Sequence, residues 1–171
     1  MITLTDSSYP FEFIGTSKIG ADKYQLDTLI YRFRSLKSFH EYEVNVERYI
    51  EHLCCIKFFD MSSTHGIGRF SQLSDTFEPR TIFRTVADIA LDVHNRYPLS
   101  SFCFIGAADY RDTPNSMQTR RYRVYKAYIR RLGIEELFEL VFFDQHSFAL
   151  LANRNAVTDI DDYATRLLQF F

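Results

Sequence analysis

The chain has 171 residues, 46% hydrophobic and 25% charged, with a formal charge of −2 and a pI near 6.2. That length suits one domain with a full core, and the near-neutral balance excludes a global electrostatic drive toward nucleic acid. Seventeen Phe and eleven Tyr without Trp make the expected core aromatic-rich, and no apolar run approaches the roughly 18 residues of a membrane span.

The first residues, MITLTDSSYPF, lack the basic and apolar regions of a signal peptide. A short strand is expected at 11–14, after Pro10, and longer ones at 24–35 and 39–48. The last alternates strictly, with Tyr42, Val44 and Val46 on one face and Glu41, Glu43, Asn45 and Glu47 on the other. Residues 51–60 contain LCCIKFF, a more buried strand. Successive strands with short connections imply an antiparallel meander. Residues 61–76 read as a polar loop, with room for a short strand at 69–73.

Pro79 suits the first position of a helix, where a missing N–H costs nothing. Ile82, Phe83, Val86, Ile89, Ala90, Val93 and Tyr97 then share one face. Thr81, Arg84, Thr85, Asp88, Asp92 and Asn95 share the other, and Pro98 closes the helix. Residues 101–108 (SFCFIGAA) form a short apolar run typical of a central strand covered on both sides. A polar loop at 109–118 leads into a basic helix ended by Gly133. Residues 137–143 and 148–153 make a final strand pair. Thr158, with Asp161 three residues on, is positioned to cap a last helix. Its apolar stripe is Ile160, Tyr163, Ala164, Leu167, Leu168 and Phe171. The order βββ(β)αβαββα indicates an α+β single domain with a mixed, mostly antiparallel sheet. Residues 1–154 form its core, and the helix in 155–171 packs on that core or on a partner, including a second copy of this chain.

The basic helix, TRRYRVYKAYIRR, holds six basic residues in thirteen and no acid. At about 100° per residue, Tyr122, Val124, Tyr125, Tyr128, Ile129 and Leu132 form one apolar face, and Arg121 points into it. Arg120, Arg123, Lys126, Arg130 and Arg131 lie opposite. A buried arginine requires a carboxylate, a carbonyl or a bound anion. Thr119 can cap the helix, the preceding strand ends in Gly106-Ala107-Ala108, allowing close approach, and Arg120, Arg121 and Arg123 gather at the positive end of the dipole. Arg80 and Arg84, near the start of the other helix, are expected to face the same cleft. The site residues are therefore Thr119, Arg120, Arg121, Arg123, Arg80 and Arg84. The competing reading is a solvated stripe with Arg121 paired to an internal carboxylate.

Other constellations carry less. His65-Gly66-Ile67-Gly68-Arg69 is loop-like but lacks the phosphate-binding lysine. The five histidines and three cysteines show no metal spacing, so no metal is expected. Cys54 and Cys55 face opposite sides of a strand, and no nucleophile motif surrounds either. Glu41, Glu43 and Glu47 suit acid–base work or a solvated face opposing basic groups. Undisulfided cysteines suit a reducing, cytoplasmic setting.

The chain resembles the core of the GNAT (Gcn5-related N-acetyltransferase) fold and small, uncharacterised bacterial GNAT-like families. The matching residues are Arg84-Thr85-Val86-Ala87-Asp88-Ile89, then Phe102-Cys103-Phe104-Ile105-Gly106-Ala107, then Thr119-Arg120-Arg121-Tyr122-Arg123-Val124-Tyr125, within a similarity spanning 31–154. The two GNAT helices that follow the first strand are missing. GNAT enzymes hold the acetyl-CoA pyrophosphate on a Gly-rich turn between the fourth strand and its helix. Here that turn is Ser74-Asp75-Thr76-Phe77-Glu78-Pro79, with no glycine, two acids and a proline. The resemblance implies that Tyr125 occupies the position of the tyrosine that protonates the departing thiolate. The expectation is a non-catalytic GNAT-like module without a cofactor, binding a protein partner or a small anionic ligand. The resemblance suggests a mobile-element, toxin–antitoxin or phage-defence setting. One alternative is an N-acetyltransferase with an atypical acetyl-CoA site and Tyr125 as acid. Another is an RNA- or nucleotide-binding protein using Arg123, Lys126 and Arg130.

Overall fold

Alternation along the chain builds the first half of the sheet. In the computed structural model, which describes residues 7–18, 22–62, 78–106 and 118–171, β1 is Phe11–Ser17, β2 Gln25–Arg34, β3 Glu41–Tyr49 and β4 Leu53–Asp60. Each pairs antiparallel with the next. Tyr42, Val44 and Val46 of β3 are buried, as period-two patterning requires. The other face carries the acids. The 69–73 strand, the His65–Gly68 glycine loop and the turn at 74–77 lie outside the described residues.

Helix α1 (Pro79–Arg96) starts on its proline and buries Ile82, Phe83, Val86, Ile89 and Val93. β5 (Ser101–Ile105) is shorter than the apolar run, and Ala107 and Ala108 lie outside the described residues. Then come α2 (Arg120–Ile129), β6 (Phe138–Phe143), β7 (Phe148–Asn153) and α3 (Ile160–Leu167). The sheet order is β1-β2-β3-β4-β5-β7-β6, a seven-stranded mixed sheet in a single α+β domain. Among the described strands, β4 and β5 are the one parallel pair. They are bonded only at Leu53–Ser101, Cys54–Phe102 and Cys55–Cys103. Beyond that, β4 continues along β3 to Asp60 while β5 follows β7 to Ile105, so the sheet splits.

Two cores result. Helices α1 and α2 cover one face, over Tyr31, Val44, Ile56, Phe102 and Leu151. Helix α3 lies on the other, where Tyr163, Ala164 and Leu167 meet Tyr49, Leu53, Cys103 and Leu150. Among the described residues, no helix is long and apolar enough to cross a membrane.

Three local expectations are corrected. Asp159, not Thr158, caps α3, accepting from the Asp162 amide at 3.0 Å; its carboxylate is the better acceptor and leaves Ile160 as the first helical residue. The chain then tightens into a 3-10 turn at Leu168–Phe170. That turn brings Phe170 onto Tyr24 and Tyr49 and leaves Leu168 and Phe171 about half exposed. Thr85 is fully buried rather than solvated. Its hydroxyl donates to the Thr81 carbonyl at 2.7 Å and accepts from the Tyr9 amide at 2.9 Å, docking the N-terminal segment on α1.

The same segment satisfies Glu78, the residue before α1. The Tyr9 hydroxyl donates to its carboxylate at 2.7 Å, and Ser35 donates to the same oxygen. Burial pushes the Glu78 carboxyl up, but these hydrogen bonds outweigh it and hold the group below its ordinary 4.5. The stability it contributes is fully present above that ordinary value and is lost as pH falls through the lower, folded one. Tyr9→Phe should therefore cost about 1–3 kcal/mol at neutral pH. In urea unfolding, that cost should be smaller at acid pH, below the folded value of Glu78, than at pH 7. An equal cost at both pH values would assign the loss to packing alone.

Candidate functional site

Helix α2 begins where β5 ends, and its first turn is locked to that strand. Thr119 caps the helix, accepting from the Tyr122 amide at 3.1 Å, and its hydroxyl donates to the Gly106 carbonyl at 2.8 Å. Ser147, in the left-handed region at φ 50°, accepts the Thr119 amide at 3.0 Å and the Gly106 amide at 2.8 Å. A Cβ on Gly106 would lie 2.6 Å from the Tyr122 amide nitrogen and 2.7 Å from the Thr119 hydroxyl. The close approach at this glycine thus serves the chain's own helix.

Arg121 is 3% exposed and hydrogen-bonds the Tyr125 hydroxyl. Tyr125 lies where the sheet splits, with the rings of Phe58 on β4, Phe83 on α1 and Phe104 on β5 at 6.0, 5.1 and 6.1 Å. Burial pushes its pKa above the ordinary tyrosine value, against the opposing pull of the Arg121 charge. Tyr125 is therefore a neutral proton donor at pH 7. Arg120 and Arg123 are exposed. Lys126 turns toward the β6–β7 connection, where its ammonium and the Tyr122 hydroxyl donate to Asp144 at 2.8 and 2.7 Å. Lys126 and Arg130 both lie over the Phe142 ring of β6.

The arginines do not form one cluster. A cavity of about 320 Å³ opens between α1 and α2, floored by Phe102, Phe104 and Leu151. Phe83, Val86 and Ala90 form one wall and Tyr128, Ile129 and Ile134 the other. Phe83 and Tyr128 stack at 4.6 Å with their planes 7° apart. The rim carries Arg80, Arg84, Asp88 and Arg131. Arg84 pairs with Asp88 at 3.1 Å, whereas Arg80 and Arg131 are exposed with no ion pair among the described residues. Arg80 and Arg84 thus meet the far end of α2, and Arg120, Arg121 and Arg123 at its start do not line this cavity. Arg131 reaches the rim because it follows Ile129, the last helical residue, so a helical projection misplaces it.

Comparison of the chain with protein-family models, with curated proteins and with solved structures returns no match.

The remaining candidates are structural. Glu43 pairs with Arg32 at 3.0 Å, and Glu47 pairs with Lys57 at 2.9 Å while accepting the Tyr49 hydroxyl, so this sheet face opposes acids with bases. Glu41 is exposed. The three cysteines are unoxidised and buried, and burial pushes the Cys54 thiol up to about 12, which withholds a thiolate. No group of three or more metal-binding side chains occurs among the described residues. Nothing local to either residue marks the His40–Asp60 contact at 2.6 Å, which arises from β3–β4 register.

Gly106→Ala tests the locked helix start. Forcing a methyl against the α2 backbone should cost about 1–3 kcal/mol. Thermal unfolding should fall by several degrees, by about the same amount with or without added anions. A native-like melting temperature would show that the strand–helix joint yields.

Proposed function

We propose that this chain is a GNAT-like module that binds an anionic ligand in the cleft between α1 and α2 without acyl transfer. The carrying observation is the apolar cavity rimmed by Arg80, Arg84 and Arg131, where the one acid among the described lining residues, Asp88, is engaged by Arg84. Apolar clefts with a few convergent charged groups are the usual form of small-ligand sites. The GNAT-like part of the reading is supported by a four-strand meander and helices after the fourth and fifth strands. It is also supported by a closing pair in which β7 inserts between β5 and β6. The sheet splitting at its one described parallel pair favours it as well, since α/β sheets bind ligands at such switch points.

The non-catalytic part rests on what fills the expected cofactor positions. Glu78 places a hydrogen-bonded carboxylate at the start of α1, where a diphosphate would need bare amides. Gly106 is closed by α2, and aromatic rings pack around Tyr125. A second reading, an N-acetyltransferase with an atypical acetyl-CoA site, is favoured by one feature: Tyr125 stands protonated at the split between β4 and β5. An RNA-binding reading draws on exposed Arg120, Arg123 and Arg130, but Tyr122 and Tyr125 of the same helix are buried and cannot stack on bases. A protein partner would use the same cleft through an acidic segment.

Thermal shift with millimolar dicarboxylates, nucleoside diphosphates, acetyl-CoA, fatty acids and acidic peptides tests the reading. At least one anion should raise the melting temperature by a few degrees, and Arg80→Ala/Arg131→Ala should markedly reduce that rise. No response to any anion, or one undiminished by the double substitution, overturns it. Acetyl transfer to an amine, lost in Tyr125→Phe, would establish the second reading instead.

A further inference from the structure

We infer that the occupant of the α1–α2 cleft is an amphipathic monoanion: a medium-chain carboxylate with its apolar body in the cavity and its head group between Arg80 and Arg131. This rests on the binding reading above and specifies the ligand's chemistry.

Size sets the body. A cavity of about 320 Å³ filled at protein-like density, about 0.75, accommodates roughly a dozen non-hydrogen atoms. Floor and walls set its polarity. Phe102, Phe104 and Leu151 offer no hydrogen-bonding side-chain atom, and the flanking helices spend their backbone groups internally. A sugar or nucleobase seated there would bury polar atoms without partners, at considerable cost. An aliphatic chain or simple aromatic ring would not. The stacked Phe83–Tyr128 pair bridges α1 and α2 and adds apolar ring atoms to the lining.

Charge sets the head. Asp88 is neutralised by Arg84, leaving Arg80 and Arg131 exposed at the mouth. Arginine matches a carboxylate through its planar donor fork. The same rim rejects a cationic head. An acidic peptide laid across the mouth would meet both guanidiniums but leave the deep apolar floor unfilled.

Calorimetry with hexanoate, octanoate, decanoate, decanol and decyltrimethylammonium tests this on the full chain. Affinity should rise about fourfold per methylene, the factor expected from burying one such group, and level off near ten carbons. Decanol should bind at least tenfold more weakly than decanoate, and the ammonium compound should not bind. Ala90→Phe, which fills the cavity, should abolish decanoate binding. Arg80→Ala/Arg131→Ala changes only exposed residues, and should bring decanoate down to the level of decanol. Affinity independent of chain length, equal binding of decanol, or decanoate binding unaffected in a folded Ala90→Phe variant overturns the inference. If decanoate is silent while a hydrophilic anion or acidic peptide binds and depends on the two arginines, the inference falls and the broader binding reading stands.

Discussion

The three-residue contact between β4 and β5 is the constraint on which the molecule turns. A parallel neighbour cannot be reached by a tight turn, so the chain must cross over, and α1 occupies that crossover. Because the contact ends at Cys55–Cys103, the second halves of the two strands diverge and need something between them. Aromatic rings supply it. Phe58, Phe104, Phe83 and Tyr125 arrive from four elements, and Tyr125 brings Arg121 inside with its guanidinium against the phenol. A guanidinium at that depth is costly to displace from its contact, so this meeting point also fixes the register of α2 over the sheet.

The polar network at the start of α1 belongs to the same design. Tyr9, Ser35, Glu78 and Thr85 are far apart in sequence, yet all four are buried together. They tie the segment before β1, the end of β2 and the first turn of α1 into one corner. That corner sets where α1 begins, and thereby where Arg80 and Arg84 reach the mouth of the cleft.

What the sequence reveals is what depends on near neighbours. Period-two alternation in β3, Pro79 at the start of α1, the Thr119 cap and the inward direction of Arg121 are all settled within a few residues. Thr85 defeated that logic because its partner, the Tyr9 amide, lies 76 positions away. Arg131 defeated it because the helix ends two residues earlier and the projection no longer applies. The cleft itself has no local signature. It exists because α1 and α2 cross the same face of the sheet at a distance that leaves room between Ala90 and Ile134. The arginines flagged as a cluster were therefore divided among three environments: solvent, the aromatic interior and the rim.

The exposed stripe of α2 has a further consequence, for colloidal behaviour. Among the described strands, β6 lies at one edge of the sheet, with the sequence FELVFF. Such a segment is a template for strand addition by another molecule. Lys126 and Arg130 sit over Phe142, and Arg154 lies 3.6 Å from Glu139, so charge flanks that strand at both positions. The positive helix thus doubles as a guard rail: neutralising it would leave an apolar edge strand facing its neighbours.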